Sequence, residues 1–128
     1  MAENGKNLIA FIYIFLTILL TVYGQIVIKW QVNAAGEFPS GASDKILFIL
    51  RLLLNPWVIS SFICAFLASL TWIAALTKFP LSFAYPFMSL AFVLVMVLSA
   101  ILFYEPITVA KAVGMGLIVA GIIIGSQT

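Results

Sequence analysis

The sequence predicts an all-α integral membrane protein, a single domain over residues 1–128 in which four transmembrane helices form an antiparallel bundle. Three observations predict it. The first is the apolar stock: 65% of the 128 residues are apolar. A helix needs roughly 20 apolar residues to cross the hydrocarbon core, so the supply covers about four crossings. The second is the shortage of charge, 8% of residues where a soluble domain carries about 25%. The third is the placement of that charge, which leaves four long uncharged runs. In lipid the backbone must satisfy its own hydrogen bonds, so such runs are helices. The same figures exclude a soluble enzyme, a nucleic-acid-binding protein and a disordered chain. A net charge of +2 is too small to argue for an anionic polymer as partner. Histidine is absent and Cys64 is the one cysteine. That excludes an internal disulfide, a multi-cysteine metal site and imidazole chemistry. Neither a metal nor a cofactor is expected.

The elements follow in order. Between Lys6 and Lys29 lie 22 uncharged residues, placing the first span at about 8–30. Its apolar run is too long for a cleaved signal peptide and no small-residue cleavage site follows, so it reads as a retained helix. Residues 31–45 contain Gly36, Pro39, Ser40, Gly41 and Ser43 with Glu37 and Asp44, an aqueous loop by composition. Residues 46–54 are apolar apart from Arg51 and too short to span. They form either a short helix in the interface, with Arg51 reaching headgroups, or an extension of the second span. Asn55-Pro56 argues for a break, because asparagine caps helices and proline suits the first helical position. Between Arg51 and Lys78, and again between Lys78 and Glu105, there are 26 uncharged residues. They hold the second span at about 56–76 and the third at about 81–103, joined by a tight turn at 77–80. After the turn at 104–106 the fourth span runs over about 107–125, with the Lys111 stem snorkelling towards a headgroup. Lys6 and Lys78 then share one membrane side, and Lys29, Lys45, Arg51 and Lys111 the other. The positive-inside rule puts both termini outside.

Polar residues inside a membrane are costly and therefore informative. In the first span Thr17, Thr21, Gly24, Gln25 and Lys29 recur at steps of three and four and share a helical face. They read as a polar lining for a headgroup path ending in the Lys29 cation, or as helix packing with a snorkelling lysine. In the third span Tyr85, Ser89, Phe92, Met96 and Ser99 form a second stripe. Pro86 sits beside it and bends the helix; the kink opens a cavity, or Tyr85 is an interfacial aromatic and Pro86 ends a first turn. Glu105 is positioned to cap the fourth helix, where the dipole favours a carboxylate, or to gate. The fourth span holds Ala110, Gly114, Gly116, Ala120, Gly121 and Gly125. Gly121 and Gly125 match the close-approach spacing, and Gly114 lies two turns from Gly121 on one face. A helix–helix contact through Gly114, Gly121 and Gly125 is expected, within one chain or between two. Cys64 beside Ala65 and Ala68 reads as a small packing residue. No nucleophile–base pair or phosphate-cradling loop is present, so no enzyme activity is expected.

These motifs resemble the small multidrug resistance side of the drug/metabolite transporter superfamily. The resemblance runs through Tyr23-Gly24-Gln25 with Lys29, Ala84-Tyr85-Pro86 with Ser89-Leu90, Phe92-Val93, Glu105-Pro106, and Gly114 through Gly121. Within that superfamily the chain is most similar to subunits of the aminoarabinose-phosphoundecaprenol flippase. The multidrug exporters carry a membrane-embedded glutamate in the first helix; aligned on Gly24 and Lys29, that position here is Thr21. A fixed lysine without a buried acid suits an anionic substrate better than a cation.

The resemblance implies a transporter in the bacterial inner membrane that carries a lipid-linked sugar phosphate. Lys29 would pair with the phosphate, and Gln25, Tyr85 and Ser89 would offer hydrogen bonds to the sugar, with Thr21 and Glu105 beside them. Four helices enclose little volume, so a homodimer, or a heterodimer with a similar small subunit, is needed to build the cleft. The alternatives are an exporter of small cationic amphipaths and a membrane subunit that stabilises a partner without transporting.

Overall fold

The computed structural model describes residues 2–127, with side chains from residue 8 onwards; the Lys6 side chain lies outside that set. Six helices follow one another: α1 Ala2–Ala35, α2 Ala42–Leu53, α3 Pro56–Leu76, α4 Leu81–Phe87, α5 Leu90–Leu102 and α6 Val109–Gly125. Every regular element among the described residues is helical. Three stretches are long and apolar enough to cross a membrane: Leu8–Ala35, Pro56–Leu76 and Leu81–Leu102. The 17 residues of α6 are apolar but shorter.

The first helix outruns the expected span. Residues 31–35 hold no helix breaker, and α1 ends only where Gly36 takes φ +90°, the left-handed conformation that glycine adopts without penalty. The loop is therefore 36–41, not 31–45. The apolar run after it is a helix of its own rather than an extension of the second span. The break falls where Asn55-Pro56 predicts it. The Asn55 side chain accepts a hydrogen bond from the Trp57 amide at 2.8 Å, and Pro56 takes the first helical position.

Helices α1 and α3 form the most extensive seam; Tyr23 Oη lies 3.1 Å from Ser60 Oγ at its exposed edge, and residues seven apart on α1 mark its buried line. Thr17 Oγ1 lies 2.6 Å from Thr71 Oγ1, Gly24 backs onto Ser61, and Gln31 Oε1 accepts from Asn55 Nδ2 at 2.9 Å. As positions climb along α1 they descend along α3, so these two neighbours run in opposite directions. A second sector of α1 holds Ile14, Ile18 and Val22, which are buried with Ala75 and Ala84 against Trp72, Leu94 and Leu98. At the far end from Gln31 the Phe11 ring meets Phe79 at 4.9 Å and Phe87 at 5.9 Å.

The third apolar stretch is interrupted. Pro86 withdraws one donor from the α-helical ladder, and the backbone tightens just beyond it. Met88 N donates to Tyr85 O at 2.9 Å, and Ser89 N to Pro86 O at 3.0 Å. These i→i−3 bonds shorten the turn between α4 and α5.

The last connection differs most from expectation. Tyr104 adopts φ 55°, and a residue before proline, here Glu105, is disfavoured in the helical region. The fourth helix therefore begins at Val109 and not at 107. Its cap is Thr108, whose hydroxyl accepts from Lys111 N at 3.2 Å; the capping role expected for Glu105 is taken by this threonine, three residues later. Lys111 folds back so that Nζ donates to Pro106 O at 3.4 Å.

Candidate functional site

The polar residues of α1 do not share one environment. At 100° per residue, Thr17 and Gly24 fall on the sector facing α3, where both are buried. The Thr17 hydroxyl also reaches the Tyr13 carbonyl at 2.8 Å. A Cβ on Gly24 would sit in van der Waals contact with Ser61 O, at 3.4 Å, so the two helices lie close here and leave little space for a larger side chain. These two residues serve packing. Gln25 and Lys29 lie on the same sector as Ile18 and Val22 but further along the helix, and both are exposed. Thr21 is half-buried between the two groups.

Lys29 is the junction of the site. Its Nζ lies 3.9 Å from Glu105 Oε1, with the side chains 48% and 43% exposed. Tyr104 and Pro106 hold Glu105 out of helical geometry, and its amide donates to the Ser99 carbonyl at 3.3 Å. That bond brings the acid under the end of α5 and opposite the α1 lysine. Exposed pairs of this kind contribute about 0–1 kcal/mol. The contact is loose and open to a competing anion.

The third-helix candidates stand apart from this pair. Tyr85 is 65% exposed and packs edge-on against Trp72 at 6.2 Å. Ser89 is half-buried at the turn into α5 and makes no side-chain cap. The stripe that includes them changes character along its length: Phe92 is exposed and Ser99 buried. Among the described residues, the side chains of Thr21, Gln25, Tyr85 and Ser89 have no hydrogen-bond partner, so their polar groups are unused within one chain.

The glycines of α6 are open as well. A Cβ at Gly114, Gly121 or Gly125 would meet nothing within 4 Å. The helix touches α4 and α5 only sparsely, Ile122 is its one buried residue among those described, and Leu117 is 68% exposed.

Sequence reasoning missed Gln31. It falls in the expected loop, yet it is buried and bonded to Asn55. A signal existed: Gln31 continues the seven-residue step of Thr17 and Gly24. Arg51 lines a cavity with Gln31 and Asn55, a neighbourhood that spacing alone does not reveal.

Apolar helices of membrane length, with an exposed lysine–glutamate contact between the first helix and the connection after α5, make up a small multi-pass membrane protein. Comparison with known proteins narrows that class. The chain is 35% identical over 106 residues to the probable 4-amino-4-deoxy-L-arabinose-phosphoundecaprenol flippase subunit ArnE of Aeromonas salmonicida, covering 83% of this chain and 87% of the relative. To the ArnE protein so named in Sodalis glossinidius it is 37% identical over 112 residues, 88% and 92% of the two chains. To the subunit named ArnF in Aeromonas hydrophila it is 31% identical over 116 residues, 89% and 77%. No protein-family profile and no solved structure matches the chain. The chain belongs to the family of aminoarabinose-phosphoundecaprenol flippase subunits. It is a membrane transport protein and not an enzyme.

Proposed function

We propose that this chain is a four-span, antiparallel subunit of the bacterial inner membrane that translocates an undecaprenyl-phosphate-linked sugar. The observation that carries the reading is Lys29. It is exposed six residues before the end of the first apolar stretch, and its one salt-bridge partner among the described residues is the weakly held Glu105. A phosphate brings more negative charge and more acceptor oxygens than a carboxylate, and a lysine ammonium pairs with it as a point charge. The head group displaces Glu105 from Lys29, and Gln25, Thr21, Tyr85 and Ser89 supply hydrogen bonds to the sugar. The polyprenyl tail stays in the bilayer.

One chain leaves Tyr85 away from Lys29, so the cleft is completed by a second small subunit, a copy of this chain or a similar partner. The contact is through α6 at Gly114, Gly121 and Gly125. In lipid, close approach of small residues is a main attraction between helices, and α6 presents that surface outwards. The end that carries Lys29, Lys45, Arg51 and Lys111 faces the cytoplasm. Cation export is the poorer reading, because Thr21 stands where a carboxylate would be needed and Lys29 repels a cation in a weakly screening medium.

The test is flipping of undecaprenyl-phosphate sugars in vesicles that contain the protein and its partner. Lys29→Met should reduce transport at least about tenfold, the loss expected for a charge-assisted contact, with insertion unchanged. Full transport by correctly inserted Lys29→Met would sink the assignment. Clear preference for a quaternary ammonium compound, with proton release on binding, would restore the cation exporter.

A further inference from the structure

Helix α2 leaves most of its apolar side chains exposed. At 100° per residue, Asp44, Phe48, Arg51 and Leu52 share one side, and Ile46, Ile49, Leu50 and Leu53 the other. On the first side Phe48 and Leu52 are the least exposed residues of the helix, and Asp44 and Arg51 flank them in the open. Phe48, Arg51 and Leu52 look across a cavity of about 340 Å³ towards Gln31 and Asn55, at the corner where α1 ends and α3 begins. The apolar side faces outwards: Ile46 is 60% exposed and no residue of α2 is buried. A helix that turns most of its apolar side chains to the surroundings and carries charged ones on its flank belongs at the boundary of head groups and acyl chains.

The cavity it covers offers donors. Asn55 uses both ends of its amide, accepting from Trp57 N and donating to Gln31 Oε1. That bond occupies the Gln31 acceptor and leaves its Nε2 without a partner among the described residues. No buried side-chain polar atom among the described residues lacks a partner, so Nε2 is not sealed in, and Gln31 lines the cavity. Arg51 has no ion pair among the described residues; the pair that forms is between Lys29 and Glu105. Asp44, the acid on its own helix, stands two turns away, about 10 Å along the axis, and lines a second cavity beside Arg51. Lys45 is turned to the Phe38 ring, 5.6 Å from its centroid. The corner thus presents a guanidinium fork and an amide N–H, at the depth where α1 leaves the apolar stretch.

We infer that this corner holds the phosphate of an anionic membrane phospholipid. Arg51 forks onto two phosphate oxygens, a geometry that guanidinium satisfies and ammonium does not. Gln31 Nε2 donates to one of the same two oxygens. The acyl chains descend past Leu54 and Trp57, which are 76% and 51% exposed beside the cavity. The bound lipid is resident and is not the transported one. Gln31 and Lys29 project from nearly opposite sides of α1, so the corner is separate from the Lys29 site. Below Gln31 the seam is closed by Gly24 against Ser61 and by Thr17 against Thr71, leaving no path along which a head group at Arg51 could cross. The inference stands whether or not the Lys29 reading holds.

The experiment uses the full chain purified in uncharged detergent. Phosphatidylglycerol, phosphatidylcholine and inorganic phosphate are titrated separately, and bound lipid is counted by native mass spectrometry alongside the melting temperature. Phosphatidylglycerol should remain bound and raise the melting temperature, while the other two have little effect. Arg51→Gln should weaken phosphatidylglycerol at least about tenfold, and Arg51→Lys should fall between it and the parent. Lys29→Met should bind phosphatidylglycerol as the parent does. Arg51 is exposed and unpaired, so both of its variants should melt like the parent without lipid. Equal binding by Arg51→Gln, equal protection by inorganic phosphate or phosphatidylcholine, or loss of binding in Lys29→Met would each overturn the proposal.

Discussion

The α1–α3 seam and helix α6 draw on the same vocabulary of glycine, alanine and small polar residues, yet the fold uses them in opposite ways. Along the seam each small or polar residue meets a partner: Gly24 meets Ser61, Thr17 meets Thr71, Gln31 meets Asn55. On α6 a Cβ added at Gly114, Gly116 or Gly121 would meet open space, and bulky neighbours such as Leu117 and Ile124 are about 70% exposed. Composition marks both helices as surfaces for close approach. Only position in the fold decides that one surface is filled within the chain and the other is left for a neighbour.

Matched substitutions at the two glycines break or sharpen that contrast, and they carry the largest expected effect. Gly24→Leu drives a branched side chain into a contact where even a Cβ would sit 3.4 Å from the Ser61 carbonyl. Overpacking of this kind costs about 1–3 kcal/mol, so the variant should melt lower or fail to insert. Gly121→Leu should cost the single chain less than about 0.5 kcal/mol, as a substitution facing open space does, yet lower the dimer fraction in detergent cross-linking. Equal loss of stability at both sites would show that α6 packs inside the chain. An unchanged dimer fraction in Gly121→Leu would remove α6 from the interface.

What could be read beforehand follows the same division. The α3 bounds, the break at Asn55-Pro56 and the interruption after Pro86 were legible because proline and a capping asparagine act locally, through a missing N–H and a side chain that reaches two residues on. The cap at Thr108 was not. It depends on Tyr104 entering positive φ and on Pro106 restricting Glu105, a combination that delays the helix by two residues. Lys29 and Gln25 were legible as the exposed end of a stripe. That the stripe splits, with Thr17 and Gly24 turned into the seam, was not, because a three-and-four spacing spreads over a wide arc and the position of α3 decides which part is covered. Gln31 was hidden by its sequence neighbourhood, where glycine, proline and serine a few residues later suggested a loop.

A smaller effect is expected at the middle of the seam. The Thr17 hydroxyl lies 2.6 Å from Thr71 Oγ1 but also 2.8 Å from the Tyr13 carbonyl, and Thr71 Oγ1 lies 2.9 Å from the Ala68 carbonyl. Each hydroxyl has one hydrogen. The bond between the helices therefore replaces a bond within one of them, and the net gain is slight. Thr17→Val keeps the shape and leaves Thr71 bonded to Ala68. It should destabilise by about 0.6 kcal/mol, the average for interhelical bonds in membranes. A loss well above about 1.7 kcal/mol, the upper end of that range, measured by unfolding from mixed micelles, would mean that the hydroxyl pair and not the Gly24 approach dominates the seam.

The smallest effect on stability, and the sharpest on function, belongs to Glu105. Its carboxylate and the Lys29 ammonium are 3.9 Å apart and nearly half exposed, so water screens both and the pair is worth about 0–1 kcal/mol. Thr108 holds the helix cap without it, and the Glu105 amide keeps its bond to the Ser99 carbonyl whatever the side chain is. Glu105→Gln should therefore melt within about 0.5 kcal/mol of the parent. Under the proposed function the carboxylate competes with the phosphate for Lys29. Removing its charge should then tighten binding of an undecaprenyl-phosphate sugar a few-fold, as measured by titration of the purified protein. The direction of that change is the decisive reading. Tighter binding means that Glu105 occupies Lys29 until substrate arrives, whereas weaker binding at unchanged stability would show that Glu105 orients Lys29 and that displacement is the wrong picture of the site.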